Sequence, residues 1–340
     1  MLKVLLFATL AFASLWSVPS RSQEPFYAGK TINIIVGFGP GGGYDLYARL
    51  LSRHLARHIP GNPNIVVQNM IGAGSVRATD YVYFSAPKDG SYIAAVNQNM
   101  PMYSLFGGAS ARFDARKFVW LGSMGASNGL IYTWITSKVK TIEDAMKTEA
   151  ILGGTGTNSD SHIFPTMLNN LLHTKFKIVH GYSGGSKEID LAIERGEVEG
   201  RGGNSWASVS SNNARWIEEK KLNILIQIGL QPEKDLPGIP MLQDLVKTER
   251  ERQIVDLISL ATAIGYAHWV APGTPELQVE ILRKAYADTM KDLAFLAEAT
   301  KMGVMLRPMT GAELDSFVKK VSSAPQSTID EAAKILEWKN

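Results

Sequence analysis

The chain has 340 residues, a formal charge of +3 and no cysteine. That length carries a large core and more readily two domains than one, and 45% hydrophobic with 20% charged residues is the profile of a soluble globular protein. The lack of cysteine excludes disulfides, thiolate zinc sites, a cysteine nucleophile and a lipidated N-terminal cysteine, and so small a net charge argues against a basic nucleic-acid surface.

The first element is "MLKVLLFATLAFASLWSVPSRSQEP": Lys3, then an apolar run from Val4 to about Val18, then polar residues and a proline. This is a secretory signal in shape; the run is short of the roughly 20 apolar residues of a membrane span. The alternative is an uncleaved anchor. Ser20-x-Ser22 and Ala11-x-Ala13 both fit the small-residue cleavage rule, and the first is favoured, so residues 1–22 are expected to be removed. An exported chain without cysteine suits a bacterial periplasm.

Strand-like and helix-like segments then alternate. "TINIIV" (Thr31–Val36) precedes a helix expected over Asp45–His58, "NIVVQN" (Asn64–Asn69) precedes a Gly72-Ala73-Gly74 turn and a helical "SVRATDYVYFSA", and "SYIAAVN" (Ser91–Asn97) is a third strand. The passages "VWLGSMG" and "LIYTWIT" read as extended. There follow "AILGG", a helix over about 160–172, "FKIVHGY", a helix over about 187–194, "VEGRG", a helix over about 206–220, and "LNILIQIGL". The last third reads as helices over 275–287, 293–301 and 311–336, with Thr274 as the cap of the first and Pro275 at its first position. The series predicts parallel sheets flanked by helices.

Four strands run straight into glycine-rich turns that open helices: "GFGPGGG", "MIGAG", "GGTGTNS" and "GYSGG". In open α/β sheets ligands sit outside the carboxyl ends of the strands. Glycine lets a ligand approach the backbone, and a helix N-terminus offers free N–H groups and about half a positive charge. Ordinary steric punctuation is the competing reading of each turn; four together point to an anion-binding cleft shared between two lobes.

Gly37, Gly39 and Gly42 spell the G-x-G-x-x-G of a dinucleotide site, but that site needs an acid about 20 residues on. No Asp or Glu lies between Asp45 and Asp80, and Pro40 sits inside the fingerprint. No phosphate-loop, H-E-x-x-H or G-x-S-x-G motif occurs. His54 and His58 are spaced to face one metal but lie beside Arg53 and Arg57 and read as a solvated helix face; His162 reads as a hydrogen-bonded first-turn residue rather than a general base. The clusters "DYVYF" and "MYSLF" read as core. No cofactor, metal or catalytic set is expected, and the protein reads as not an enzyme.

These residues carry a family resemblance. "IIVGFGPGGGYDLYARLLSRHL" resembles the I-V-P-F-x-P-G-G-G-x-D-x-x-A-R-x-L opening of the periplasmic substrate-binding proteins of tripartite tricarboxylate transporters, the Bug-type receptors. "IVVQNMIGAGSVRATDYVYFSAPKDGSYIAAV" and "HGYSGGSKEIDLAIERGEVEG" resemble that family's later blocks, in the same order. Gly37 stands where the family has proline, Tyr44 where threonine is common, "IPGNPN" is longer than the usual turn, and "VEGRGGNSW" brings in Arg201.

The resemblance implies a two-lobe, type II-like periplasmic-binding-protein fold. Each lobe would be a mainly parallel sheet flanked by helices, with lobe one over 26–123 plus 230–340 and lobe two over 124–229. It implies capture of a small organic carboxylate between the lobes by backbone groups of the glycine loops. It also implies delivery by a monomeric receptor to a large and a small integral membrane subunit driven by an ion gradient, with no role for nucleic acid. A ligand-presenting receptor for a membrane sensor, or a nucleotide-binding or hydrolytic periplasmic enzyme, are the alternatives. The candidate ligand-binding residues are Pro40, Gly41, Gly42, Tyr44 and Asp45 in the first turn, Gly72, Ala73 and Gly74 in the second, and Asn97 after the third strand. From the second half come Gly156, Thr157, Asn158 and Ser159, then Tyr182 and Gly184, then Arg201 and Asn204. Asp45 either steadies its own helix or meets an amine or hydroxyl of the ligand. Arg201 either grips a carboxylate or pairs with Glu197 or Glu199 at the surface.

Overall fold

A computed structural model describes residues 24–107, 112–182 and 184–338; the expected signal segment, 1–22, lies outside the described residues. In chain order the elements are β1 (Thr31–Val36), α1 (Gly43–Leu55), β2 (Asn64–Asn69), α2 (Val76–Asp80), β3 (Tyr92–Ala95), α3 (Met100–Phe106), β4 (Val119–Ser123) and β5 (Gly129–Trp134). Then follow α4 (Ile142–Lys147), β6 (Ala150–Gly154), α5 (Asp160–Leu172), β7 (Phe176–His180), α6 (Ser186–Glu194), β8 (Gly200–Ser205), α7 (Trp206–Asn212), α8 (Ala214–Glu218) and β9 (Leu222–Ile228). The chain ends with α9 (Leu242–Leu245), α10 (Glu249–Ile264), β10 (Ala267–Val270), α11 (Glu276–Thr289), α12 (Leu293–Lys301), β11 (Met309–Thr310), α13 (Gly311–Ser322) and α14 (Gln326–Ile335).

The strands form two sheets, β11-β4-β10-β3-β1-β2 and β7-β6-β8-β5-β9. The chain passes from the first to the second between Ser123 and Gly129 and returns between Ile228 and Ala267. Two helix-flanked sheets are as expected, and the pairing of neighbours within each is mixed. β1 pairs in parallel with β2 and β3, and β6 with β7 and β8, but β10 runs antiparallel to β3 and β4, β11 to β4, and β5 to β8 and β9. The β-α-β units build the parallel half of each sheet, whereas β5 and β10, each the first strand after the chain changes sheets, run against both of their neighbours.

β1 is apolar and β-branched in its inner stretch because both faces are covered. Ile32, Ile34 and Val36 pack with Tyr47, Leu50 and Leu51 of α1 and with Leu282, Tyr286 and Phe295 of α11 and α12; Ile35 faces the opposite core with Val82, Trp120 and Trp269. In the second sheet Ile131, Leu152 and Ile226 pack with Phe164 and Leu168 of α5 and with Ile254 and Ile258 of α10, so α10 lies against the second sheet although its chain returns to the first.

Several local expectations are corrected. His54 is buried and meets Glu298 of α12, and half-buried His58, just past the end of α1, meets Asp292 at 2.9 Å, so the end of α1 is fastened to α12 and its start rather than forming a solvated face. The helix expected over 206–220 breaks at Asn213, whose side-chain amide turns to Asp190. That expected over 311–336 breaks at Pro325, which cannot continue a helix. Pro275 caps α11 where Thr274 was expected to; the Thr274 hydroxyl instead donates to the Ala271 carbonyl. α3, α4, α9, α10, β10 and β11 were not anticipated. No helix of the described residues is long and apolar enough to cross a membrane.

Candidate functional site

The four glycine turns leave the carboxyl ends of β1, β2, β6 and β7 and meet in pairs across the gap between the sheets. The first lies against the fourth through Gly39 and Gly184. The second lies against the third: the Asn158 side-chain amide donates to the Ala73 carbonyl at 3.4 Å, and a Cβ on Gly74 would stand 3.0 Å from the Asn158 backbone. Gly74 has φ of 60°, the left-handed region that suits glycine.

Behind these contacts is a cavity of about 50 Å³, room for a few waters. The N-termini of α1, α5, α6 and α7 open onto it. From the first sheet's side it is walled by Phe38, Gly42, Gly43, Tyr44, Asn97, Gln98 and Tyr266. From the second come Thr155, Ser159, Asp160, Ser161, Gly185, Ser186, Arg201, Gly203, Asn204, Ser205 and Ser208. Phe38 stacks on Tyr44 (5.1 Å between ring centres), and Tyr44 meets Tyr266 edge-on at 5.0 Å. Burial pushes the Tyr266 hydroxyl up to about 12, so it stays neutral. Asp160 is the one carboxyl of the lining, which contains no imidazole; the Thr155, Ser159 and Ser161 hydroxyls bond to one another. That lining can bind but has no nucleophile set against a base.

Arg201 is 7% exposed. Its Nε donates to the Gly203 carbonyl at 2.9 Å, Nη1 has no hydrogen-bond partner, and the side chain forms no ion pair among the described residues. The surface pairing with Glu197 or Glu199 is therefore corrected. Glu197 meets Arg195 at 3.7 Å, and Glu199 accepts from the Ile151 amide and the Ser137 hydroxyl. The reason is position: β8 is central in its sheet, between β6 and β5, and begins at Gly200, so Arg201 is inside the strand rather than past its end. Gly202 and Gly203 let the start of α5 lie on β8; a Cβ at Gly203 would stand 2.4 Å from the Asp160 backbone.

That close approach puts Asp160 in the same cavity as Arg201. Its carboxylate accepts from Gln98 at 3.1 Å and from Asn99, reaching across to the first sheet's side. Burial raises its pKa to about 6, against the opposing pull of those amides and of Arg201. Asp190, behind Arg201, is also raised by burial, with Arg201 opposing, and accepts from Asn213 at 3.0 Å.

Of the residues expected from the sequence, Gly42, Tyr44, Asn97, Ser159, Arg201 and Asn204 line the cavity. Gly72, Ala73, Gly74, Gly156, Asn158 and Gly184 form or adjoin the contacts between turns, while Pro40 and Thr157 are exposed and Tyr182 packs beside Gly153. Asp45 is turned away: it accepts from the Gly41 amide, Arg49 and Asn69, each at 2.9 Å, and so braces the first turn. Asp160 and Tyr266 were missed. Asp160 had a signal, an acid in a glycine- and serine-rich helix start like Asp45; Tyr266 comes from a segment with no motif.

No family model matches the chain. It is 24% identical over 246 residues to the "UPF0065 protein in gbd 5'region" of Cupriavidus necator, covering 70% of this chain and 71% of that one. Among solved structures it is similar to the periplasmic binding protein BugD (TM-score 0.71, 18% identity, 91% and 98% of the two chains). It is also similar to MatC from Rhodopseudomonas palustris with bound malate (0.68, 18%, 90% and 99%) and to an adipate-bound protein from R. palustris (0.68, 17%, 91% and 97%). The resemblance read in the glycine-rich blocks is thus met in three dimensions: this chain has the fold of the Bug-type periplasmic binding proteins.

Proposed function

We propose that this protein is an exported periplasmic receptor that closes lobe one (26–123 plus 230–340) and lobe two (124–229) on a small organic carboxylate. It hands that ligand, as a monomer, to the large and small membrane subunits of an ion-gradient-driven tripartite transporter. The observation that carries the reading is the Arg201 guanidinium, buried at the cavity wall with no ion-pair partner among the described residues. A buried charge without a partner is costly, and a carboxylate entering the cavity would meet it with charge-assisted hydrogen bonds. The helix N-termini around the cavity favour the same charge. Malate and adipate in two proteins of the same fold support the class of ligand.

The test is a thermal-shift and calorimetric panel of short carboxylic acids against the mature chain and Arg201→Ala. A carboxylate should stabilise the wild type by about 2.7 kcal/mol at 100-fold over its dissociation constant, and Arg201→Ala should cost about 1.5–3 kcal/mol of affinity, the scale of a charged hydrogen bond. Stabilisation by NAD or ATP with none from any acid overturns the reading; an unchanged affinity in the variant removes Arg201 from the site.

A further inference from the structure

Arg201 does not face an empty wall. The same small cavity carries the Asp160 carboxyl, and the rings of Phe38, Tyr44 and Tyr266 form part of its wall. Arg201 and Asp160 feel each other's charge but make no ion pair. Each Asp160 oxygen accepts one side-chain amide, from Gln98 or Asn99, and keeps a lone pair for a further donor. Behind Arg201, Asp190 already offsets part of the guanidinium charge.

A plain anion is a poor match for that arrangement. Its carboxylate would gain Arg201 but would bring a second negative charge up to Asp160, and like charges at close range repel. A ligand carrying both signs satisfies both groups at once. Resting on the carboxylate reading above, we propose that the site selects a small zwitterion, a short-chain α-amino acid, with its carboxylate at Arg201 and its ammonium received by Asp160. An ammonium has three donors to meet the free Asp160 lone pairs.

The experiment is calorimetry on the mature chain with alanine and its near-isosteres lactate and propionate, with malate and ethylamine as controls. Alanine is expected to bind at least about tenfold more tightly than lactate, propionate or malate, and ethylamine not to bind. In Asp160→Asn the preference for alanine over lactate should collapse to near unity while lactate affinity holds or rises. Lactate, propionate or malate binding as tightly as alanine in the wild type overturns the zwitterion proposal and leaves the carboxylate receptor standing. Silence from every acid, amino or not, overturns both. The wild-type panel decides the question even if the Asp160 variant fails to fold.

Discussion

A methyl group placed on Gly39 would stand 2.0 Å from the carbonyl oxygen of Gly184, so the turn after β1 and the turn after β7 touch backbone to backbone across the cleft. Only glycine at 39 permits that contact, because backbone cannot move aside as a flexible side chain can. In Gly39→Ala the two turns are held apart, an overlap the protein relieves by opening rather than by unfolding. Affinity for the best acid of the panel should fall at least tenfold, about 1.4 kcal/mol, with circular dichroism of the free protein unchanged. Equal affinity in wild type and variant would remove this contact from ligand capture.

Asp45 should behave as a structural residue. Burial pushes its pKa up, but Arg49, the Gly41 amide and Asn69 outweigh that and hold it below the ordinary carboxylate value. Asn69 also donates to the Phe38 carbonyl at 2.8 Å, so one network pins both ends of the glycine turn. Asp45→Ala leaves those donors unpaired and is expected to cost about 2–3 kcal/mol of stability by urea denaturation. A fully stable variant with lost ligand affinity would contradict this assignment.

Asp160 should make the free protein lose stability with rising pH. Its folded pKa of about 6 lies above the ordinary 3.8, so between those values the folded state holds more protons than the unfolded chain, and stability falls as pH rises through that window. The charged or titratable groups facing it are Arg201, Tyr44 and Tyr266. Asp160→Asn cannot ionise, so its urea midpoint relative to wild type should improve from pH 4 to pH 7. A constant difference across that range would place Asp160 in water rather than in the protein.

His268 acts in the opposite sense. Complete burial lowers its pKa from 6.5 to about 3, and its Nδ1 lies 3.0 Å from the Tyr286 hydroxyl. The unfolded chain takes up a proton below pH 6.5 that the folded state refuses, so stability is lost as pH falls from 6.5 towards 3, by at most about 1.4 kcal/mol per pH unit for one proton. His268→Gln keeps a polar partner for Tyr286 and should flatten that acid limb in denaturant titrations at pH 4–6.5. An unaltered slope would assign the acid loss to other groups.

Export is testable by mass. The Lys3-led apolar run and the Ser20-x-Ser22 site predict a periplasmic protein whose N-terminus lies near Gln23. Recovery of the full-length chain from the membrane fraction would refute cleavage.

Local periodicity and turn chemistry specify β1, β2, β6 and β7 with the glycine turns at their ends, and the helices those turns open. Such segments declare themselves because one burial pattern and one cap act within a dozen residues. Contacts between distant segments are written in no local pattern. The antiparallel strands β10 and β11 and the packing of α10 on the second sheet depend on where the chain crosses between sheets. Arg201 illustrates the limit most clearly. The sequence leaves a surface pair with Glu197 or Glu199 open beside a ligand role, and only the placing of β8 between β6 and β5 buries it. Asp160 meets Arg201 only because Gly202 and Gly203 let α5 settle on that strand, and it meets Gln98 and Asn99 only because the two sheets close on each other. Local sequence could therefore nominate an anion-binding cleft, whereas the balance of charge inside it came from tertiary packing, since burial and the approach of distant groups set both the cost of a charge and the partner it finds.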